Sequence, residues 1–171
     1  IKDGIPQSDI VFYHFGSVGK AEDDYVVSRT TYQECVMPEI YFAGNACAVA
    51  VADNGFAVCK GTDKPKESVL VSFEQEIISC FHDDDRIGFL FADITGEAEY
   101  RMEIYNYRGK RDAERIVEAD FDEIKMQEGQ VLMFSEKECH VFTKSGRKRF
   151  DSPYEKAVQD IFYFAGFRKY L

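Results

Sequence analysis

The sequence predicts an all-β fold, a β-propeller-like repeat of four-stranded antiparallel blades, and three observations carry the prediction. A strand core that ends in glycine recurs four times: Val11-Phe12-Tyr13-His14-Phe15-Gly16, Phe56-Ala57-Val58-Cys59-Lys60-Gly61, Ile104-Tyr105-Asn106-Tyr107-Arg108-Gly109 and Val141-Phe142-Thr143-Lys144-Ser145-Gly146. An isoleucine-led apolar strand recurs at Ile40, Ile78, Ile124 and Ile161, at spacings of 38, 46 and 37 residues. Helical periodicity is scarce, and the segments are short, rich in Val, Ile, Phe and Tyr, and punctuated by Gly, Asn and Asp. Four antiparallel strands in about 40–45 residues is the signature of a propeller blade.

Taken in order, strands are expected near 9–15, 24–33, 39–43, 46–53, 56–60, 67–73, 76–82, 86–92, 98–107, 113–120, 122–126, 130–135, 138–143, 148–150, 158–164 and 167–171. Calling the strands of a blade a, b, c and d, the stretch 9–33 supplies a c–d pair. Three whole units follow at about 37–76, 77–121 and 122–157, and 158–171 supplies an a–b pair. Residues 1–171 are thus read as one propeller-like domain, about four blades' worth. Docking of the last pair beside the first would close a four-bladed ring; otherwise the chain is an arc of a larger propeller, with open blade edges that favour self-association. It begins Ile1-Lys2-Asp3 and ends Arg168-Lys169-Tyr170-Leu171 in mid-strand, which reads as a segment of a longer protein.

Asp53-Asn54-Gly55 marks a hairpin, because Asn and Gly tolerate positive φ. Thr95-Gly96-Glu97 and Gln127-Glu128-Gly129-Gln130 do similar work. Ser152–Gln159 alone has some helical character, and its Pro153 fits a loop equally well. A blade buries both faces against its neighbours, so alternating positions on strands b and c should form the core: Val49, Val51, Val58, Phe89, Phe91, Ile104, Val131, Met133 and Val141. The outer d strands are loaded with charge at Lys64-Pro65-Lys66-Glu67, Arg111-Asp112-Ala113-Glu114-Arg115 and Arg147-Lys148-Arg149, which protects an edge from stray pairing. An up-and-down barrel with about eight long strands would also fit the length, but the frequent turn signals call for shorter strands.

Composition narrows the function classes. Hydrophobic content of 45% and aromatic content of 15% are enough for a packed core. A net charge of −10 repels phosphate backbones, so no nucleic-acid partner is expected despite the basic Arg147-Lys148-Arg149 turn. The five cysteines, Cys35, Cys47, Cys59, Cys80 and Cys139, include no CxxC and fit no zinc spacing. Buried thiols are the expected state, with one disulfide as the alternative.

Four constellations were weighed for chemistry. His82-Asp83-Asp84-Asp85 could hold a hard cation but lacks the spacing of a calcium loop, and it reads as a hairpin turn. His14, His82 and His140 fall in different units at unequal offsets from the repeat glycine, and no Gly-x-Ser-x-Gly elbow accompanies them. Asp93, Glu97, Glu99, Glu103, Asp120, Asp122 and Glu123 are scattered carboxylates among which a glycosidase pair could hide. Tyr100, Tyr105, Tyr107, Phe162, Tyr163, Phe164, Phe167 and Tyr170 crowd the C-terminal half, either as ligand anchors or as packing between blades. No catalytic, cofactor-binding or metal-binding residue is assigned from these.

The run Ile10-Val11-Phe12-Tyr13-His14-Phe15-Gly16, the segment Val51-Ala52-Asp53-Asn54-Gly55-Phe56-Ala57-Val58 and the repeating strand–Gly–Lys unit resemble a family of uncharacterised bacterial proteins. Those proteins have a short N-terminal region, one membrane-spanning helix and an extracytoplasmic WD40-like or quinoprotein-like propeller region. The resemblance implies an extracytoplasmic location, anchored to the membrane through a segment not in this chain. It brings no catalytic residue with it. The chain has no Trp-Asp dipeptide of the WD40 type and no Trp docking motif of the quinoprotein type, so no cofactor is expected. The functional expectation is a non-enzymatic recognition, sensory or scaffold module for a protein, peptide or envelope glycan. The alternatives are a hydrolase of envelope glycans, with a carboxylate pair at the propeller face, and a purely structural spacer.

Overall fold

The computed structural model describes residues 4–14, 25–44, 47–96, 99–118, 121–164 and 169–170. Its sixteen strands include no α-helix among the described residues. The chain divides into two compact units, Ile1–Gln75 and Glu76–Leu171.

In the first unit, β1 (Gln7–Tyr13) and β2 (Val26–Gln33) form a two-stranded antiparallel sheet. The first blade is a meander of β3 (Glu39–Phe42), β4 (Cys47–Ala52), β5 (Gly55–Lys60) and β6 (Lys66–Ser72). β4 reads Cys-Ala-Val-Ala-Val-Ala, and the alternation has a purpose. Ala48, Ala50 and Ala52 face a cluster with Ile10, Tyr32 and Phe12 of the two-stranded sheet, where small side chains leave room for the large ones. Val49 and Val51 take the other face and are just as buried. A strand buried on both faces loses its polar alternation and reads as a continuous apolar run.

In the second unit, one blade comprises β7 (Ile77–His82), β8 (Arg86–Ala92), β9 (Tyr100–Asn106) and β10 (Arg111–Val117). The next comprises β11 (Glu123–Gln127), β12 (Gln130–Phe134), β13 (Glu138–Thr143) and β14 (Lys148–Pro153). A short pair, β15 (Tyr163–Phe164) and β16 (Lys169–Tyr170), follows. The two blades share one apolar core: Leu90, Met102, Ile104 and Val117 pack against Val131, Met133 and Phe142. Each side chain of this size removed from water contributes about 1.5–3 kcal/mol, which is why a blade without its neighbour is a poor folding unit. Every core position expected from the sequence is buried.

One recurrent feature has no counterpart in the sequence reading. In all four c–d pairs the register slips by one residue on the d side, leaving Val27, Ser68, Asp112 and Arg149 as bulge residues. A bulge increases local twist, and propeller-like blades are strongly twisted sheets.

Three local expectations change. The Asp53-Asn54-Gly55 hairpin forms, but its two turn residues are Asp53 and Asn54, and Gly55 already pairs with Ala52. Glycine is needed there because a Cβ would lie 2.0 Å from the Val71 carbonyl oxygen. Ser152–Gln159 is not helical: the Tyr154 N–H donates to the Lys137 carbonyl at 2.7 Å, and the Val158 N–H to that of Glu136 at 3.3 Å. The strand expected at 158–164 shrinks to Tyr163–Phe164. The residues before it serve as a cover, with Ile161, Val158 and Tyr154 lying over Leu132, Phe134 and Val141 on the outer face of the last blade.

Candidate functional site

In the second unit, four turns meet at one end of the two blades, and the acidic run ties them together. Asp83 opens the β7–β8 turn. Its Oδ1 accepts the N–H groups of Asp85 and Arg86, each at 2.9 Å, a local carboxylate-capped turn. Its Oδ2 accepts the Gly129 N–H of the next blade at 2.9 Å. Glu128 and Gly129 both adopt positive φ, 49° and 72°, the backbone of a type I′ hairpin between β11 and β12. The Gly129 carbonyl in turn accepts the Lys144 N–H of the β13–β14 turn at 2.8 Å. Tyr107, buried in the β9–β10 turn, sets its hydroxyl 2.6 Å from the Asp83 carbonyl oxygen and 2.9 Å from that of Arg86. Both Asp83 oxygens are therefore occupied by backbone donors, and the run His82-Asp83-Asp84-Asp85 is a structural turn. No group of three or more metal-ligating side chains occurs among the described residues.

The two c–d hairpins at this end share one design. Asn106 and Thr143 each close a turn through their carbonyls, accepting from Gly109 at 3.0 Å and Gly146 at 2.8 Å. Their side-chain oxygens cap the loop, Asn106 Oδ1 accepting from Arg108 N at 2.9 Å and Thr143 Oγ1 from Arg147 N at 3.2 Å. Gly109 and Gly146 take φ of 78° and 74°, so the repeat glycine is the left-handed residue that closes the hairpin. The hairpins hold Arg108, Lys110, Lys144 and Arg147 out in solvent. Behind them, Arg86 Nε bonds Asp112 at 3.0 Å, and Arg115 Nε reaches the Gly146 carbonyl at 3.1 Å.

The scattered carboxylates do not converge. Glu103 is buried in the second unit between Arg101 and Arg111, with Arg111 Nη1 at 3.2 Å, and it accepts the Tyr105 hydroxyl. Arg111 also pairs with Glu114 at 2.8 Å, and Arg101 stacks over Phe91 at 5.0 Å. Burial, with Glu103 alongside, pushes the Tyr105 phenol far above its ordinary value. Asp93 caps its own turn through Thr95, at 3.1 Å to the amide and 2.6 Å to the hydroxyl. Glu99 accepts the Tyr100 hydroxyl at 2.7 Å. Asp122 and Glu123 do line a cleft of about 250 Å³ with Glu136, Ser135 and Gln159, but all three acids are exposed. Glu97 and Asp120 lie outside the described residues.

The remaining candidates are dispersed. His14 belongs to the first unit and lines an apolar groove of about 330 Å³ with Phe12, Phe42 and Cys59. His82 ends β7, and His140 is buried on β13 with Nε2 3.2 Å from Glu138 Oε1. Among the aromatics, Tyr105 and Tyr107 are buried, Tyr100 packs on Phe121 at 5.2 Å, and Tyr163 joins the cover over the last blade. Phe162 is exposed beneath Lys125, whose ammonium lies 4.2 Å from the ring and pairs with Asp160. Phe167 and the side chains of Phe164 and Tyr170 lie outside the described residues. All five cysteines are free thiols, and burial pushes those of Cys35, Cys47, Cys59 and Cys139 up.

Comparison with known proteins agrees with this architecture. A family profile described as "Family of unknown function (DUF5711)" matches residues 1–171. No curated protein matches the sequence. Among solved structures, the chain is similar to Saccharomyces cerevisiae Sqt1, a WD40 propeller protein, with a TM-score of 0.50 and 12% identity. The likeness covers 75% of this chain and 38% of Sqt1, so the chain spans well under half the length of that neighbour, and at this identity the likeness is one of fold.

Proposed function

The chain belongs to this family of unknown function, and from its propeller fold we propose that it is a non-enzymatic recognition module whose blade-end loops contact a protein or peptide. One observation carries the reading. The polar side chains best placed for chemistry, Asp83, Asp93 and Glu103, are engaged by neighbours in their own blade and, for Asp83, in the next, whereas the turns beside Asp83 are held by hydrogen bonds and face solvent. Rigid sheets presenting loops at their ends are binding scaffolds. The family resemblance supports an extracytoplasmic, membrane-tethered parent. No helix among the described residues is long and apolar enough to cross a membrane.

A photo-crosslinking amino acid placed at Lys110 or Ile94, in loops at opposite ends of one blade, tests this. The expected result is a saturable adduct with one polypeptide at one of the two positions. Adducts at neither position, with the protein serving only to space its neighbours, would overturn the reading. Protease accessibility of the parent in intact cells tests its location.

The cleft of Asp122, Glu123 and Glu136 favours a second reading, a hydrolase of envelope glycans. It predicts release of reducing sugar that is lost in Glu123→Gln or Glu136→Gln. A general acid usually needs a carboxyl held out of water, and these three are exposed, which is why this reading ranks second.

A further inference from the structure

We propose that the paired c–d hairpins of the second unit form a cationic strip that receives an acidic peptide segment of a partner protein; this rests on the recognition reading above. The chain carries a net charge of −10, yet the hairpins Asn106–Asp112 and Thr143–Asp151 are strongly basic. Three of their seven cations are engaged, Arg111 with Glu114, Lys148 with Asp151 and Arg149 with the Gln130 side-chain oxygen. Arg108, Lys110, Lys144 and Arg147 are exposed and form no ion pair with another described residue. The Arg115–Gly146 and Asp83–Gly129 hydrogen bonds join the two adjacent blades at this end, and the Lys144–Gly129 bond ties the β13–β14 hairpin to that junction. The opposite end of these blades carries Asp93, Glu99, Glu118, Asp122, Glu123 and Glu136, while the hairpin end carries its exposed acids, Asp84, Asp85 and Glu128, on the neighbouring β7–β8 and β11–β12 turns.

Edge protection explains less. It calls for charge along the exposed length of a d strand. Here Arg108, Lys110, Lys144 and Arg147 lie in the turns, beyond the d strands they would protect, while Ile116 and Phe150 on those strands stay exposed.

The chemistry of the strip narrows the partner. Arginine and lysine on capped, rigid turns match carboxylates closely spaced along an extended peptide. Single-stranded nucleic acid would need a row of exposed aromatic platforms; of the two aromatics in these hairpins, Tyr107 is buried with its hydroxyl committed, which leaves Phe150 as a lone exposed ring.

The test is fluorescence anisotropy with a labelled Glu/Asp-rich peptide in about 100 mM salt, where purely long-range attraction is screened. The charge reversal Arg108→Glu/Lys110→Glu/Lys144→Glu/Arg147→Glu is compared with Lys137→Glu/Lys156→Glu at other loops, after melting curves confirm that each variant folds. A loss of at least about tenfold in the hairpin variant, with the control within about twofold, is expected. No measurable wild-type binding, or equal losses per reversed charge in the two variants, overturns the strip. Tighter binding of a DNA oligonucleotide of equal charge, lost in the hairpin variant, overturns the peptide assignment. A crosslinked partner that still binds the hairpin variant would remove the strip and leave the recognition reading standing. Absence of any adduct alongside peptide binding would do the reverse.

Discussion

At the scale of single residues, the acidic run shows how a loud signal can be structural. Three consecutive aspartates invite a cation, yet Asp83 accepts three backbone N–H groups, one of them from the next blade. Hydrogen bonds to a charged acceptor contribute more than neutral ones, so Asp83→Ala should lower stability by about 1.5–3 kcal/mol in urea titrations, with Asp84→Ala close to neutral. Equal effects at the two positions would refute this structural role of Asp83. Nothing in the sequence separates Asp83 from Asp84, because the distinction lies in which carboxylate faces Gly129. Gly88 was equally silent. A Cβ there would come within 2.1 Å of the Phe81 ring, which lies over it from the neighbouring strand. Gly88→Val should cost about 1–3 kcal/mol by forcing Phe81 out of the shared core. The cysteines give a third residue-scale prediction. Burial holds four thiols above their ordinary range in the fold, so above about pH 8.5 the unfolded chain sheds its thiol protons first. Stability is full below that pH and declines as pH rises past it, a trend that should vanish between about pH 8 and 10 in a Cys35→Ala/Cys47→Ala/Cys59→Ala/Cys139→Ala background measured by thermal melting.

At the scale of elements, strands were legible because both faces of a blade are buried, which makes apolar runs such as Ala48–Ala52 and Val131–Phe134 stand out against polar turns. The repeat glycine was legible for a related reason: Gly109 and Gly146 close identical hairpins in a left-handed conformation. The d-strand bulges were not, since Val27, Ser68, Asp112 and Arg149 have nothing chemical in common. They mark a geometric need that any side chain can meet. The stretch 158–162 was read as strand because Val158 and Ile161 have strand character; they are apolar in order to seal Leu132 and Val141 from water. Of the candidate site, the sequence displayed the basic clusters, but their shared end of the two blades depends on contacts between residues tens of positions apart, such as Arg115 with Gly146.

At the scale of the whole molecule, the charge that repels polyanions also sets the response to acid. Asp151 and Asp160 have carboxyls lowered below the ordinary range, chiefly by hydrogen bonds from Lys148 and Lys125, and Asp9 is lowered by Thr31, Gln7 and Arg29. A lowered carboxyl stabilises the fold above the unfolded value, near about pH 4, and that contribution disappears as pH falls through the folded value. Each of these pairs is exposed, so each contributes little and is screened by salt. Protonating the carboxylates has a larger consequence, because it leaves the 21 lysines and arginines without their counter-charges and turns an anion into a strong cation. The melting temperature should therefore hold nearly level from neutral pH down to about pH 5 and fall steeply below about pH 4. Added salt should change little near pH 5, where the net charge is small, and stabilise below about pH 3, where like charges dominate. A melting temperature in acid that is indifferent to salt would mean that lost local pairs, and not the net charge of the molecule, govern its acid unfolding.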